Sequence, residues 1–314
     1  MRYLTITLNP AFDLVGSTSQ LIIGEVNKIQ TQGFTPAGKG INVAQILKKF
    51  HKEVTATGFL GEENAQAFET FLQQKAIPQS FIKVPGKTRT NIKITAQQNT
   101  TDLNFSGFSV TPQDWQKLIT ASQTWYKKYD FIIISGSLPE GISAKMFADF
   151  CYRLTAQKIK WALDTSGEAL KAAITAKPFL IKPNQEELRS LRTQVSSELN
   201  IQDDLLFAQQ LCTNGIEQVL LSCGANGAYL IKKNQSEIIH TKVVCKKVVS
   251  TVGAGDSLLG SYIAQLSDNQ TSAEALKIAT AVSSLIVEQA SEITWNPEDL
   301  AGRLEEVCYS TKKF

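Results

Sequence analysis

Phe131-Ile-Ile-Ile-Ser-Gly-Ser-Leu-Pro139, then Ser143 to Leu154, then Lys160-Trp-Ala-Leu-Asp164, carry the rhythm that decides the fold. The apolar run Phe131 to Ile134, cut by a Gly- and Pro-containing turn, reads as a strand buried on both faces. Ser143 to Leu154 reads as a helix, and Lys160 to Leu163 as the next strand, which delivers Asp164. The same beat continues outward. Glu168 to Ala173 is a helix, Phe179 to Ile181 a strand delivering Lys182-Pro-Asn184, and Asp203 to Asn214 a helix. Val219 to Leu221 is a strand delivering Ser222-Cys-Gly-Ala-Asn-Gly227. Ala228 to Ile231 and Ile238 to Val244 form a further pair of strands. Helices are expected over Asp256 to Gln265, Ser272 to Gln289 and Glu298 to Tyr309.

Towards the N-terminus, Tyr3 to Leu8 is a strand closed by Asn9-Pro10, and Val26 to Thr31 a short strand. A helix opens at Gly38-Lys-Gly40, a strand runs from Val54 to Phe59, a helix from Glu62 to Gln74 and a strand from Phe81 to Val84. Asp114 to Tyr126 is a helix. Thr90 to Thr95 and Asp102 to Ser106 alternate around a polar turn at 97–101, which makes a hairpin and a lid candidate. The segment before Gly38 supplies its companion strands. The expectation is one α/β protein over 1–314, with a mostly parallel sheet covered on both faces and lid segments near 11–37 and 87–108. In such sheets ligands sit beyond the carboxyl ends of the strands. Asn9, Asp13, Gly58, Ser135, Ser137, Asp164, Asn184 and Ser222 all fall at or just after such ends.

Composition narrows the function. The 314 residues carry a formal charge of +3 with both signs interspersed, which argues against nucleic acid as a partner. Lys242 to Lys247 is basic but lacks aromatic interleaving and reads as a solvated strand edge. Five cysteines at wide spacing, with no CxxC pair, suggest neither structural zinc nor a disulfide framework, and so a reducing cytoplasm. His51 and His240 stand far apart and read as incidental. No apolar stretch reaches membrane-spanning length and none resembles a signal peptide.

The chemistry is expected at Ser250-Thr-Val-Gly-Ala-Gly-Asp-Ser257. Gly253, Ala254 and Gly255 would offer backbone N–H groups at a helix N-terminus, an anion hole. Asp256 at its lip can accept a proton from a hydroxyl, which together suggests phosphoryl transfer to an alcohol. The bland alternative is a glycine turn and an N-cap. Gly38-Lys39-Gly40 lacks the Walker spacing, so a P-loop is rejected; Lys39 can meet a phosphate and Asn42 a sugar hydroxyl, or the segment is only a helix start. Lys182-Pro-Asn184-x-x-Glu187 is either a capping box or a pair that organises Mg²⁺ through water. A Rossmann fingerprint and a serine-nucleophile elbow are both missing.

Taken with Thr7-Leu-Asn-Pro-Ala-Phe-Asp13, Ala37 to Val43, Gly86 to Lys93, Phe105-Ser-Gly107 and Ser135 to Pro139, these motifs resemble the PfkB-type, ribokinase-like carbohydrate kinases over nearly the whole chain. The resemblance implies a three-layer sandwich with a small β-sheet lid, the cofactors ATP and Mg²⁺, and a homodimer through the lid. It implies Asp256 as catalytic base, with residues 253–255 as anion hole. Nucleotide contacts fall to Ser222, Cys223, Gly224, Ala225, Asn226 and Gly227, with Lys182, Asn184 and Gly255; Asn184 and Glu187 serve the metal. Asp13, Gly38, Lys39 and Asn42 match sugar-side positions. Arg89, helped by Lys39, Asn91, Lys93 and Ser137, resembles the group that receives a phosphorylated sugar. The resemblance implies fructose 1-phosphate as that sugar, with tagatose 6-phosphate as the alternative. A non-catalytic sugar-phosphate sensor would be favoured by loss of Asp256, which is present. One departure stands out: Glu288 to Thr294 lacks a glycine that relatives often have there, so nucleotide affinity or cation dependence would differ.

Overall fold

The computed structural model describes residues 1–97, 99–192, 200–268, 270–289 and 293–313. Its strands are β1 (Arg2–Thr7), β2 (Ala11–Thr18), β3 (Gln30–Ala37), β4 (Glu53–Gly61), β5 (Ile82–Val84), β6 (Arg89–Ala96) and β7 (Asn99–Asn104). They continue with β8 (Phe131–Ser135), β9 (Lys160–Asp164), β10 (Leu180–Ile181), β11 (Gln218–Ser222), β12 (Ala228–Lys232), β13 (Glu237–Lys242) and β14 (Cys308–Lys313).

Ten strands form one sheet in the order β5-β4-β1-β8-β9-β10-β11-β12-β13-β14. From β5 to β11 neighbours pair in parallel, and the remaining three turn antiparallel. The apolar runs explain the parallel part. In β8, Phe131 and Ile133 enter the hydrophobic cluster on one face, while Ile132 and Ile134 enter the cluster on the other. A strand clamped between two apolar layers has no polar face to show, hence its unbroken Ile run. Each such side chain taken from water contributes about 1.5–3 kcal/mol. Helices Ala144–Ala156 and Lys39–Lys49 lie on opposite faces of the sheet. The first is capped by Ser143, whose Oγ accepts from Met146 N at 3.2 Å.

A separate four-stranded sheet runs β3-β2-β6-β7, with β2 parallel to β6 and both outer pairs antiparallel. Its two faces differ. Asp13 pairs with Asn91, and Lys93 lies two residues on, so their side chains share one face. Phe34, Leu14, Ile92 and Leu103 form a cross-strand row on the other face. Phe12 fastens this sheet to the main body by stacking on Phe34 at 5.0 Å and meeting Phe68 edge-on at 4.7 Å.

Four expectations need correction. The strand placed at Val26 to Thr31 begins only at Gln30, because Asn27 closes a turn: its Nδ2 donates to the Ile22 carbonyl at 2.8 Å and its Oδ1 accepts from Ile22 N. The last helix is Pro297–Glu306; Cys308 and Tyr309 already belong to β14, which pairs with β13. The helix expected from Asp114 to Tyr126 breaks after Ser122. The hairpin turn is tighter than 97–101, since Ala96 pairs with Asn99 and Gln97 takes φ 48°.

Candidate active site

The carboxyl ends of β1, β8, β9, β10 and β11 deliver Asn9, Ser135, Asp164, Lys182 and Ser222 to one rim. Helix Ala254–Leu266 starts beside it. Gly253 takes φ 76°, the left-handed region that glycine enters without strain, and no side chain caps the helix start. Ala254 N donates to the Thr251 carbonyl at 3.3 Å, and the N–H groups of Gly253 and Gly255, which close no such bond among the described residues, are left for a ligand. Lys182 reaches the same place, its Nζ 3.1 Å from where a Cβ on Gly255 would stand, which favours glycine there. Ser257 Oγ is buried beside this turn with no partner among the described residues.

Asp256, one residue on, is 5 % exposed. Its Oδ2 accepts from Asn42 Nδ2 at 2.8 Å. Burial pushes its carboxyl up, nearby Asp164 adds to this, and Lys39, Asn42 and Lys182 pull back, leaving it at about 6. Asp164 itself accepts from Ser135 Oγ at 3.3 Å. Lys39 and Lys182 each place Nζ beside its Oδ1, at 3.4 and 3.3 Å. Burial raises the Asp164 carboxyl, but the two lysines outweigh it and hold the group below the usual carboxylate range. Asp164 in turn raises Lys39 above its ordinary value.

The polar face of the small sheet forms the other end. Lys93 Nζ donates to Asp13 Oδ2 at 2.7 Å and Asn91 Nδ2 to Asp13 Oδ1 at 3.2 Å. Arg89 Nη2 donates to the Asn9 carbonyl at 3.4 Å, and Asn9 Nδ2 donates to Ser137 Oγ at 3.2 Å. Arg89 Nε and Asn91 Oδ1 are buried without a partner among the described residues. Burial lowers the guanidinium of Arg89 from its ordinary value, against Asp13. Gly38 takes φ 148° where Thr7 Cγ2 would stand 2.8 Å from a Cβ, and opens the helix that presents Lys39 and Asn42. A cleft of about 720 Å³ joins Asp13, Lys93 and Asn42 to Thr251, Gln289 and Thr294.

Ser222 N donates to the Pro183 carbonyl at 3.0 Å, so the turn after β11 lies against the Lys182-Pro-Asn184 segment. Gly224, Ala225 and Asn226 are exposed. Gly227 takes φ 84°, and a Cβ there would strike the Thr241 carbonyl oxygen. Cys223 points inward: its thiol is in the core and pushed up to about 12 by burial, so only its backbone faces the turn. His240, read as incidental, stacks on Tyr229 at 4.1 Å and places Nε2 2.9 Å from the Asn226 carbonyl. Asn184 and Glu187 form a reciprocal capping box: Asn184 Oδ1 accepts from Glu187 N at 2.7 Å, and Glu187 Oε2 from Asn184 N at 2.9 Å. In the 288–294 segment, Glu288 holds Arg303 at 2.8 Å and Gln289 donates to the Thr294 carbonyl; residues 290–292 lie outside the described residues.

A sequence profile of the pfkB family carbohydrate kinase matches residues 7–299. The chain belongs to the pfkB family of carbohydrate kinases. Like its relatives, this pfkB kinase is an ATP-dependent sugar kinase. A 1-phosphofructokinase of Haemophilus influenzae is 43% identical over 289 residues, covering 91% of either chain. A tagatose-6-phosphate kinase of Staphylococcus epidermidis is 32% identical, covering 88% of this chain and 89% of its own. Phosphofructokinase-2 from Escherichia coli, solved with substrates and products, superimposes with a TM-score of 0.85 at 26% identity over 97% of this chain and 99% of its own.

The strand pattern places Asn9 and Asp164 at the rim but gives them no role. Their position at the end of an apolar run was the available signal; that Asp164 meets two lysines from distant segments is a tertiary fact.

Proposed function

We propose that this kinase transfers the γ-phosphoryl group of ATP to the 6-hydroxyl of D-fructose 1-phosphate, giving D-fructose 1,6-bisphosphate and ADP. The observation that carries the reading is the polar end of the cleft, where Lys93 pairs with Asp13, with Arg89 opening the same strand β6, in a chain so similar to a 1-phosphofructokinase. The unpartnered Nε of Arg89, beside an Nη2 held only at 3.4 Å by the Asn9 carbonyl, suits an existing phosphate. Holding that phosphate fixes the register of the sugar, and Asp13 and Asn42 take its hydroxyls. Asp256 then orients the far hydroxyl and receives its proton as charge develops on the attacking oxygen. The N–H groups of Gly253 and Gly255, with Lys182, stabilise the oxygens of the transferring group, and Ala254 N joins them if it leaves the Thr251 carbonyl.

The donor set also bears on the metal. Among the described residues no group of three or more His, Cys, Asp or Glu side chains is gathered to hold an ion. Asn184 Oδ1 and one oxygen of Glu187 are engaged in the capping box. That suits Mg²⁺, which keeps several waters and leans on substrate phosphates. Asn184 and Glu187 would hold its water shell; when bound, it neutralises charge on the phosphates.

The small sheet, segments 11–37 and 87–108, is read as a lid whose polar face covers the sugar. Its outer row exposes Phe34 by 56% and Leu103 by 45%, which favours a second copy of the chain as partner. The deciding assay is coupled ADP release with Mg-ATP against fructose 1-phosphate, fructose 6-phosphate and tagatose 6-phosphate. The expected result is the highest kcat/KM on fructose 1-phosphate. A preference for tagatose 6-phosphate keeps the mechanism and overturns the substrate.

A further inference from the structure

Asp164 ends β9 with its side chain wholly shielded from solvent, at 0% exposure. A buried carboxylate needs counter-charge. This one holds two cations on a single oxygen, and they come from opposite sides of the site. Lys39 opens the helix that also presents Asn42, on the sugar side. Lys182 follows β10 and lies against Gly255 at the anion hole, on the donor side. The second oxygen of Asp164 is fixed by Ser135.

We propose that Asp164 is a positioning residue for phosphoryl transfer, clamping Lys39 and Lys182 on one oxygen so that the transferring group meets a cation from the acceptor side and one from the donor side. The proposal rests on the kinase reading above. Two ammonium groups this close repel each other, and in a site shielded from water only an anion between them keeps both in place. Without it, Lys39 has an open route to solvent, since its side chain is 42% exposed, while Lys182, at 5%, does not. The charged groups facing Asp256 are Asp164 from β9, Lys182 from β10 and Lys39 from its helix. From the helix packed behind, the Ser283 hydroxyl donates to the Ala254 carbonyl. Removing Asp164 therefore leaves Asp256 among cations alone.

The test uses the full chain and the ADP-release assay. Asp164→Asn is expected to lower kcat about 10²-fold, the scale of losing one preorganised charge contact. KM for either substrate should move less than about threefold. The acid limb of its kcat/KM profile should shift to lower pH, because the anion that raises Asp256 is gone; a loosened fold alone does not produce that shift. Lys39→Met and Lys182→Met supply the coupling. If Asp164 acts through the lysines, D164N combined with either costs much less than the product of the single losses. The pair D164N/K182M leaves no unpaired buried cation and serves if D164N alone is unstable; it should lose more than K182M, because Lys39 is also released, but much less than the product of the two single losses. Multiplicative losses, an unmoved acid limb, or recovery of D164N by excess Mg²⁺ would each overturn the proposal. A wild type that turns over none of the three sugar phosphates overturns the functional reading itself, and the clamp with it.

Discussion

A carboxylate that takes a proton at neutral pH works best with a proton affinity near that pH. Asp256 has this from burial, reinforced by Asp164, which hold it at about 6. The active form is the ionised one, so kcat/KM for the wild type should rise with pH through about 6 and level off above it. A flat profile between pH 5 and 8 would remove Asp256 from the role of base. The same shift acts on stability with the opposite sense. Between the ordinary aspartate value of 3.8 and about 6 the native state holds a proton that the unfolded chain releases, so this group's contribution is full at low pH and is lost as pH rises through about 6. Asp256→Asn should lower kcat about 10²- to 10⁴-fold with a small change in sugar-phosphate binding. Arg89→Ala should act at the other end, raising KM for the sugar phosphate about 10- to 100-fold, as loss of a charged hydrogen bond implies. Unchanged kcat/KM in that variant would refute the clamp on the phosphate.

At the scale of elements, the capping box at Asn184 and Glu187 can be weighed against a second one at Thr271 and Glu274, where Thr271 Oγ1 accepts from Glu274 N at 3.2 Å. Asn184→Ala and Thr271→Ala should each cost about 1 kcal/mol in urea unfolding. Only Asn184→Ala should also raise the Mg²⁺ concentration needed for half-maximal rate. If the two variants behave alike, the first box is only a cap. The βα rhythm after Pro112 was legible because parallel strands clamped on both faces must be apolar throughout, as in Phe131 to Ile134. Ala11–Thr18 was harder to see. It carries Asp13, Gly16 and Ser17, its side chains are only half buried, and it belongs to a sheet packed on one side. Cys308–Lys313 was hidden for a related reason: an exposed edge strand of polar residues has no period to display, and its pairing with β13 is decided by tertiary contact. In the site, Asp256 and the glycines before it announced themselves by spacing. The partnership of Asp164 with Lys39 and Lys182 did not, because it joins three segments that only the folded sheet brings together.

For the molecule as a whole, the apolar row on the small sheet predicts assembly. Light scattering at micromolar concentration should report a dimer, and Phe34→Asp with Leu103→Asp should give a monomer. A wild type that stays monomeric would assign the row to its own chain alone. The site also has a history in the order of synthesis. Asn42 and Asp256, which share a hydrogen bond, stand 214 residues apart. A chain leaving the ribosome carries the residues expected to greet the sugar, Asp13 and Arg89, long before the carboxylate that would use it. Chains cut short before residue 256 therefore have nothing with which to draw off a proton. Products of interrupted translation are expected to be silent, spending no ATP on sugar or on water, and only a finished polypeptide becomes an enzyme.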